Sequence, residues 1–189
     1  MSSYTVVFDA CVLYPYPLRS YLMYLNAKGL FRAKWSDMIH DEWIRNAIKN
    51  NPARNAEALY RARKFMDTHA PDALVTGFEG LIDGLELPDP DDRHVLAAAI
   101  RGQAEGIITF NLKDFPIDTL EQYGVTAIHP DEFLCDMYEL DASSCLWAAQ
   151  EHRCSLKNPP FSVDEYLQSL QKQKLPEFVS KLKQMSWAI

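Results

Sequence analysis

The sequence predicts an α/β fold built around a central parallel sheet. Residues 4–8 and 107–110 are nearly continuous apolar runs with the length and composition of buried parallel strands. The segments between and after them carry apolar residues at helical spacing, so strands and helices alternate along the chain. With 189 residues, of which 48% are hydrophobic, the chain can bury a sizeable core in one domain and still carry an appendage.

The first strand ends in an acid, Asp9. Capping of the next helix is the alternative use of such a residue. That helix is expected to begin only after Pro15 and Pro17, which favours a place for Asp9 at the tip of the strand.

Glu42 is the second acid that stands out by its position. A turn and a short strand at residues 29–35 are expected to lead to Ser36, a suitable helix N-cap. In the helix that follows, Glu42 lies one step beside the apolar stripe, where it borders the core and can still reach a site. A solvated acid paired with Arg45, three residues further on, is the alternative, and the sequence leaves both open.

A helix expected between Pro52 and Pro71 carries the notably basic region of this acidic chain. The cations of that region, including two from the preceding helix, are Arg45, Lys49, Arg54, Arg61, Arg63 and Lys64. Such a run is usually a solvated helix face, and a track for a phosphate backbone is the alternative. A short strand at residues 73–76 and a short helix at 78–85 are expected next.

Three carboxylates, Asp89, Asp91 and Asp92, crowd the start of the following helix. The helix dipole favours acids at this end, but three within four residues exceed the need for capping. Apolar residues follow Asp92 at core-facing helical spacing, so its side chain is expected to point inward. Asp91 is expected to lie closer to solvent.

The strand at residues 107–110 also ends in polar residues, namely Thr109, Asn111 and Asp114. An Asx turn that caps the next helix is the alternative for them. Because the carboxyl ends of parallel strands meet at one edge of a sheet, we expect these residues to approach Asp9 and Asp92. Clustered carboxylates repel one another, and hard oxygen donors suit a divalent cation that would hold them together.

After one more strand at residues 125–128, the sequence predicts only helices. They are expected at residues 132–140, 142–154 and 163–172, with a last one starting at Pro176. The last helix carries an apolar stripe, which is expected to pack on the main domain. The predicted organisation is a sheet domain at residues 1–130 and a helical extension at residues 131–189.

Composition excludes several classes of protein. The four cysteines and five histidines show no zinc-ligand spacing, so reduced structural cysteines are expected. The N-terminal residues do not resemble a leader peptide and no apolar run is long enough to span a membrane, which predicts a cytoplasmic protein without membrane contact. The net charge of −7 argues against a non-specific nucleic-acid coat but not against a nuclease whose carboxylates hold metal.

These segments together resemble the PIN domain, a family that includes the ribonuclease toxins of bacterial toxin–antitoxin pairs. The residues that carry the resemblance are 7–9, Glu42, 89–92, 95–99 and 107–115, and it spans about residues 4–130. It implies a three-layer α/β/α fold and an acidic pocket for Mg²⁺ or Mn²⁺. It also implies hydrolysis of RNA phosphodiester bonds. The helical tail is longer than in the compact toxins, which leaves the biological role open.

The resemblance assigns a role to each candidate residue. Asp9, Glu42, Asp92 and Asp114 take the four acidic positions as metal ligands, with Glu42 as ligand or as a base that orients the water. Asp91 competes with Asp92 for the third position. Asn111 and Thr109 would support the acids by hydrogen bonds, and Arg45, Arg93 and Lys113 would contact phosphates.

The expected partner is an RNA substrate, while DNA cleavage, an antitoxin protein and a homodimer are left open. A catalytically silent PIN-like binding module that acts through its helical tail is one alternative. An aspartyl-phosphate phosphatase is a weaker one, because its nucleophile is followed two residues later by a second Asp, where this chain has Cys11.

Overall fold

A computed structural model describes residues 4–189 and confirms the α/β class. Within these residues four strands form one parallel sheet in the order β2-β1-β3-β4. The strands are β1 (Thr5–Phe8), β2 (Arg32–Lys34), β3 (Gly106–Ile108) and β4 (Thr126–Ile128). Val7 pairs with Lys34 on one side and with Ile107 on the other, so β1 and β3 lie at the centre. All carboxyl ends therefore lie at one edge.

The helices are α1 (Ala10–Leu13), α2 (Tyr16–Asn26), α3 (Asp37–Asn50), α4 (Ala56–His69), α5 (Glu79–Ile82), α6 (Arg93–Arg101), α7 (Ile117–Leu120), α8 (Pro130–Leu140), α9 (Ala142–Ser155), α10 (Val163–Gln171) and α11 (Pro176–Gln184). Single 3₁₀ turns at Pro90–Asp92 and Leu112–Asp114 precede α6 and follow β3. In the described part of the chain, no helix is both long and apolar enough to cross a membrane. The prediction that the N-terminal residues are not a leader peptide rests on residues 1–4, and the first three of these lie outside the described part.

The chain divides into two compact units. The first comprises the described residues up to Tyr14 together with Phe31–Ile128, and it holds the whole sheet. The second comprises Pro15–Leu30 and His129–Ile189. The domain division at residue 130 stays a prediction, and α2 groups with the C-terminal helices in this arrangement.

In the first unit, α6 packs on the two central strands. Residues 95–99 of α6 are all fully buried, and three of them are alanines, whose small side chains let a helix lie close to a sheet. On its other side α6 contacts α3, whose stripe of Ile39, Trp43 and Ala47 is fully buried as predicted. Ser36 caps α3 as predicted, because its Oγ accepts a hydrogen bond of 3.2 Å from Ile39 N. These contacts fix α3 and α6 beside the carboxyl ends of β1 and β3.

Three expectations about the first unit are wrong in detail. The chain turns into α1 directly after Asp9 rather than after Pro15 and Pro17, and Pro15 instead precedes α2. Pro52 does not start α4, which begins at Ala56 after the N-cap Asn55. The reason is that Asn55 supplies the capping oxygen that proline lacks. Residues 73–76 form only a single bridge, between Leu74 and Trp35, rather than a strand.

In the second unit, the apolar stripe of α11 is buried against α8 and α10. The stripe consists of Leu175, Phe178, Val179 and Leu182. The buried carboxylate of Asp131 accepts hydrogen bonds from Glu177 N at 3.0 Å and Phe178 N at 2.8 Å, which ties the start of α11 to α8. The stripe therefore packs mainly among the C-terminal helices, and Phe178 also packs on Tyr21 of α2, within the predicted main domain, with 5.4 Å between the ring centroids.

Candidate active site

Asp9 lies at the carboxyl end of β1 and is buried, with 3% of its surface exposed. It occupies the N-cap position of α1, yet among the described residues its side chain accepts no capping bond. Its Oδ2 instead accepts hydrogen bonds from Thr109 Oγ1 at 2.7 Å and from Cys11 Sγ at 3.1 Å. Burial raises the pKa of Asp9, and repulsion by Glu42 adds to the shift, while the bonds from Thr109 and Cys11 oppose it. The tip position predicted for Asp9 is thus observed.

The end of β3 supports this carboxylate. Thr109 is fully buried, and its Oγ1 donates to Asp9 while accepting a bond of 3.0 Å from Asn111 N. Cys11 was not predicted to take part, because a lone cysteine after a strand carries no local signal. Burial and the neighbouring charge of Asp9 raise the pKa of its thiol, which therefore acts as a neutral donor.

Glu42 lies on the side of α3 that faces α6, and its partner is a histidine. His94 Nε2 is 3.1 Å from Glu42 Oε2. Of the alternatives for Glu42, the pair with Arg45 is therefore not the one observed. His94 was missed because it lies three residues after Asp91, which was expected closer to solvent, whereas His94 is buried. A helix of alanines without a polar stripe is the signal that every side of it is covered.

The three acids before α6 differ in their contacts and in their exposure. Asp89 caps the 3₁₀ turn, because its Oδ1 accepts a bond of 2.9 Å from Asp91 N. Asp92 occupies the N-cap position of α6, which begins at Arg93, but within the described chain its carboxylate makes no capping bond. Asp91 is exposed and Asp92 half-buried, in the order that the sequence predicts. The carboxylate of Asp92 therefore stays available for a ligand.

These side chains surround an acidic cavity of about 550 Å³. The residues that line it are Met38, Asp41, Glu42, Arg45, Asn46, Asp89, Asp91, Asp92, His94, Asn111 and Asp114. Burial raises the pKa of Asp92 to about 7, and the repulsion that adds to it comes from Asp9, Asp89, Glu42 and Asp114. The charges of the other three predicted acids therefore act on Asp92, although Asp9 is not part of the cavity lining.

Arg93 and Lys113 are not among the residues that line the acidic cavity, as far as the described chain shows. Arg93 Nε donates instead to Pro90 O at 2.9 Å, and Lys113 is exposed. Part of the predicted basic face is neutralised, since Arg63 pairs with Asp37 and Asp41 and Arg61 pairs with Glu57. In the described part of the chain, Arg45 is the Lys or Arg side chain that reaches the cavity wall.

The donor set fits a divalent metal that keeps water ligands. Within residues 4–189, no three His, Cys, Asp or Glu side chains are grouped closely enough to hold a metal ion by themselves. Mg²⁺ in proteins usually takes only one or two carboxylates and completes its shell with water and substrate oxygens. The mutual repulsion that raises the pKa of Asp92 is the property that such a cation would relieve.

Comparisons with known proteins match two separate parts of the chain. The sequence model described as PIN domain matches residues 5–113, and the one described as VapC50 C-terminal domain matches residues 130–184. A curated relative from Mycobacterium tuberculosis, named "Putative ribonuclease VapC50", is 38% identical over 122 residues, which cover 62% of this chain and 71% of the relative. No solved structure matches the chain. The resemblance inferred from the sequence is thereby confirmed, and the chain belongs to the PIN domain family.

Proposed function

We propose that the protein is a metal-dependent endoribonuclease that hydrolyses RNA phosphodiester bonds at the acidic cavity, as the toxin of a toxin–antitoxin pair. One observation carries the chemistry: burial, and then the charges of acids from separate elements, among them Asp9, Glu42 and Asp114, raise the pKa of Asp92. Carboxylates held so close cost free energy unless a cation offsets their charge. The name of the M. tuberculosis relative supports ribonuclease as the activity.

Asp9, Asp92 and Asp114 would be direct or water-mediated ligands of Mg²⁺ or Mn²⁺, with Glu42 as a further ligand or as a base that orients the water. When bound, the ion would activate a water and stabilise charge on the attacked phosphate. Thr109 orients Asp9 through its Oγ1, and Asn111 in turn holds that hydroxyl through its backbone N–H. No protein nucleophile is needed, and the buried thiol of Cys11 supplies none because its raised pKa keeps it protonated.

The substrate would enter along the side of α3 that carries Arg45 and Asn46. Arg45 offers a cation to a phosphate next to the scissile one. Lys113 and Arg93 lie outside the lining and are proposed for phosphates further along the RNA. An antitoxin protein is the proposed partner, and a homodimer stays a prediction that light scattering would test.

The test is cleavage of single-stranded and structured RNA, with DNA of the same sequence beside it, in Mn²⁺ and in EDTA. We expect cleavage of RNA in Mn²⁺, none in EDTA, and none by Asp9→Asn. This variant keeps an oxygen for Thr109 and Cys11, so its Tm should equal or exceed that of the wild type without metal. Asp118→Asn, at an exposed acid of α7, is the matched control and should cleave normally.

Cleavage that persists in EDTA or in Asp9→Asn would rule out the proposed mechanism. Titration with Mn²⁺ distinguishes the proposed nuclease from the alternative of a catalytically silent binding module. That alternative expects no Mn²⁺ binding that depends on the four acids, and the proposal expects binding that Asp9→Asn weakens.

A further inference from the structure

His94 connects two of the proposed acidic residues. It is the second residue of α6 and lies two positions after Asp92. Its Nε2 reaches across to Glu42 Oε2 on α3 at 3.1 Å. His94 is 7% exposed, so this contact is shielded from bulk water. The contact joins the helix that presents Asp92 to the helix that presents Glu42.

We propose that His94 is a positioning residue for the hydrolysis, acting through Glu42; this inference rests on the proposed function. A carboxylate can only accept hydrogen bonds, so Nε2 carries the hydrogen of this contact. Glu42 Oε2 is thereby committed to His94, and Oε1 is the oxygen left for a ligand or a water in the acidic cavity. Fixing the rotamer of Glu42 before the substrate binds removes an ordering cost from the reaction.

The other ring nitrogen argues that His94 is not there for stability. Within the described residues, His94 Nδ1 is buried without a hydrogen-bond partner. A buried polar atom without a partner lowers stability, so a histidine contributes most to the fold when it satisfies both nitrogens. His40 of α3 does so, with Asp67 at Nε2 and the Trp43 indole at Nδ1. The contact with Glu42 is what an apolar residue at position 94 could not supply.

The test compares two substitutions at position 94. In His94→Gln the amide nitrogen can still donate to Glu42, whereas His94→Met fills the space without a donor. We expect His94→Met to lower kcat by about 10- to 100-fold, the usual effect of removing a partner of a metal-site residue. KM should change less than about twofold, and His94→Gln should recover most of kcat. Mn²⁺ affinity, measured by calorimetry, should fall in His94→Met and recover in His94→Gln.

His40→Gln is the matched control, because it alters a histidine–carboxylate pair of the same length on α3 outside the cavity lining. It should lower Tm and leave kcat unchanged. The positioning role would be overturned if His94→Gln lost as much kcat as His94→Met and if both losses followed the decrease in Tm. An unchanged kcat in His94→Met would also overturn it.

A measurement without turnover separates this inference from the proposed function. Long-range ¹H–¹⁵N correlation of the histidine rings in the wild-type protein should show the Nε2–H tautomer for His94, and Glu42→Ala should abolish that preference. An Nδ1–H tautomer in the wild type would overturn the contact even if RNA is cleaved. A wild type that shows the Nε2–H tautomer but cleaves no RNA would overturn the proposed function and, with it, the role of His94 in hydrolysis.

Discussion

Two histidine–carboxylate pairs in the first unit have the same length and different surroundings. His40 Nε2 and Asp67 Oδ1 are 3.1 Å apart, and so are His94 Nε2 and Glu42 Oε2. Both ring nitrogens of His40 have partners, because Trp43 donates to its Nδ1 at 2.9 Å and Asp67 lies at its Nε2, and Trp35 donates to Asp67 at 2.9 Å. A pair that is satisfied on all sides contributes to the stability of the fold.

The pair at His94 lies at the wall of the acidic cavity, whose lining carries six acids and one arginine, Arg45. Burial and like charges raise the pKa values of Asp9 and Asp92 there, whereas burial lowers the pKa of His40 in its own cluster. The first unit thus contains one polar cluster whose histidine is fully paired and one in which acids meet at a cavity. Perturbed carboxylates around a cavity are the physical mark of a functional site.

The largest difference between the clusters should appear at the acids before α6. Asp92→Asn removes a half-buried carboxylate without a capping task, and we expect it to lower kcat by several orders of magnitude. Asp91→Asn changes an exposed neighbour and should lower kcat much less. Both are measured on the same RNA at saturating Mn²⁺. A greater loss in Asp91→Asn would transfer the ligand role to Asp91.

Removing the side chain of His40 should have the opposite effect to Asp92→Asn: the free energy of unfolding should fall and kcat should change little. His40→Leu leaves the Trp43 indole N–H without its partner and leaves the Asp67 carboxylate with Trp35 as its remaining donor. Each buried group that loses its partner costs about 1–3 kcal/mol, so we expect a loss of roughly 2–4 kcal/mol in urea unfolding. His94→Met should lose less, because it also removes an unsatisfied nitrogen. Equal losses of unfolding free energy in His40→Leu and His94→Met would show that the two histidine–carboxylate pairs do not differ in their contribution to stability.

Much of the acidic cavity could be predicted from the sequence, because its acids occupy positions with a strong pattern. Asp9 ends an apolar strand, and Asp92 precedes apolar residues at helical spacing, so their direction follows from periodicity. That they meet follows from the shared edge of parallel strands. Thr109 and Asn111 were placed by the same reasoning.

The contacts between helices could not be predicted in this way. The pairing of His94 with Glu42 spans 52 positions of sequence and depends on how α3 packs on α6, for which the sequence has no short-range signal. The start of α1 directly after Asp9 depends on apolar residues that are buried on nearly every side, where amphipathic spacing is absent. The stripe of α11 was visible, but its partner helices α8 and α10 were not.

The acidic cavity should also make the stability of the metal-free protein depend on pH. The pKa of Asp92 is raised from 3.8 to about 7 in the folded chain, first by burial and then by the other acids. Between these values the unfolded chain has lost a proton that the folded chain keeps, so Tm should fall as pH rises from about 4 to about 7. Asp92→Asn should flatten this slope in thermal unfolding. An equal slope in the variant would show that other groups cause it.

The smallest expected effect concerns Arg45, which faces the acidic cavity from the same helix as His40. A cation there contributes to binding a phosphate before and during the reaction alike, so its loss should act on KM more than on kcat. We expect Arg45→Gln to raise KM about three- to tenfold and to reduce the slope of log affinity against log salt by about 0.7, the contribution of one phosphate contact on a single strand. Arg61→Gln, an exposed arginine of α4 paired with Glu57 at 2.8 Å, is the control and should change neither value. If Arg45→Gln leaves KM and the salt slope unchanged, the RNA backbone does not pass the α3 wall, and the phosphate contacts must then be sought at Arg93 and Lys113.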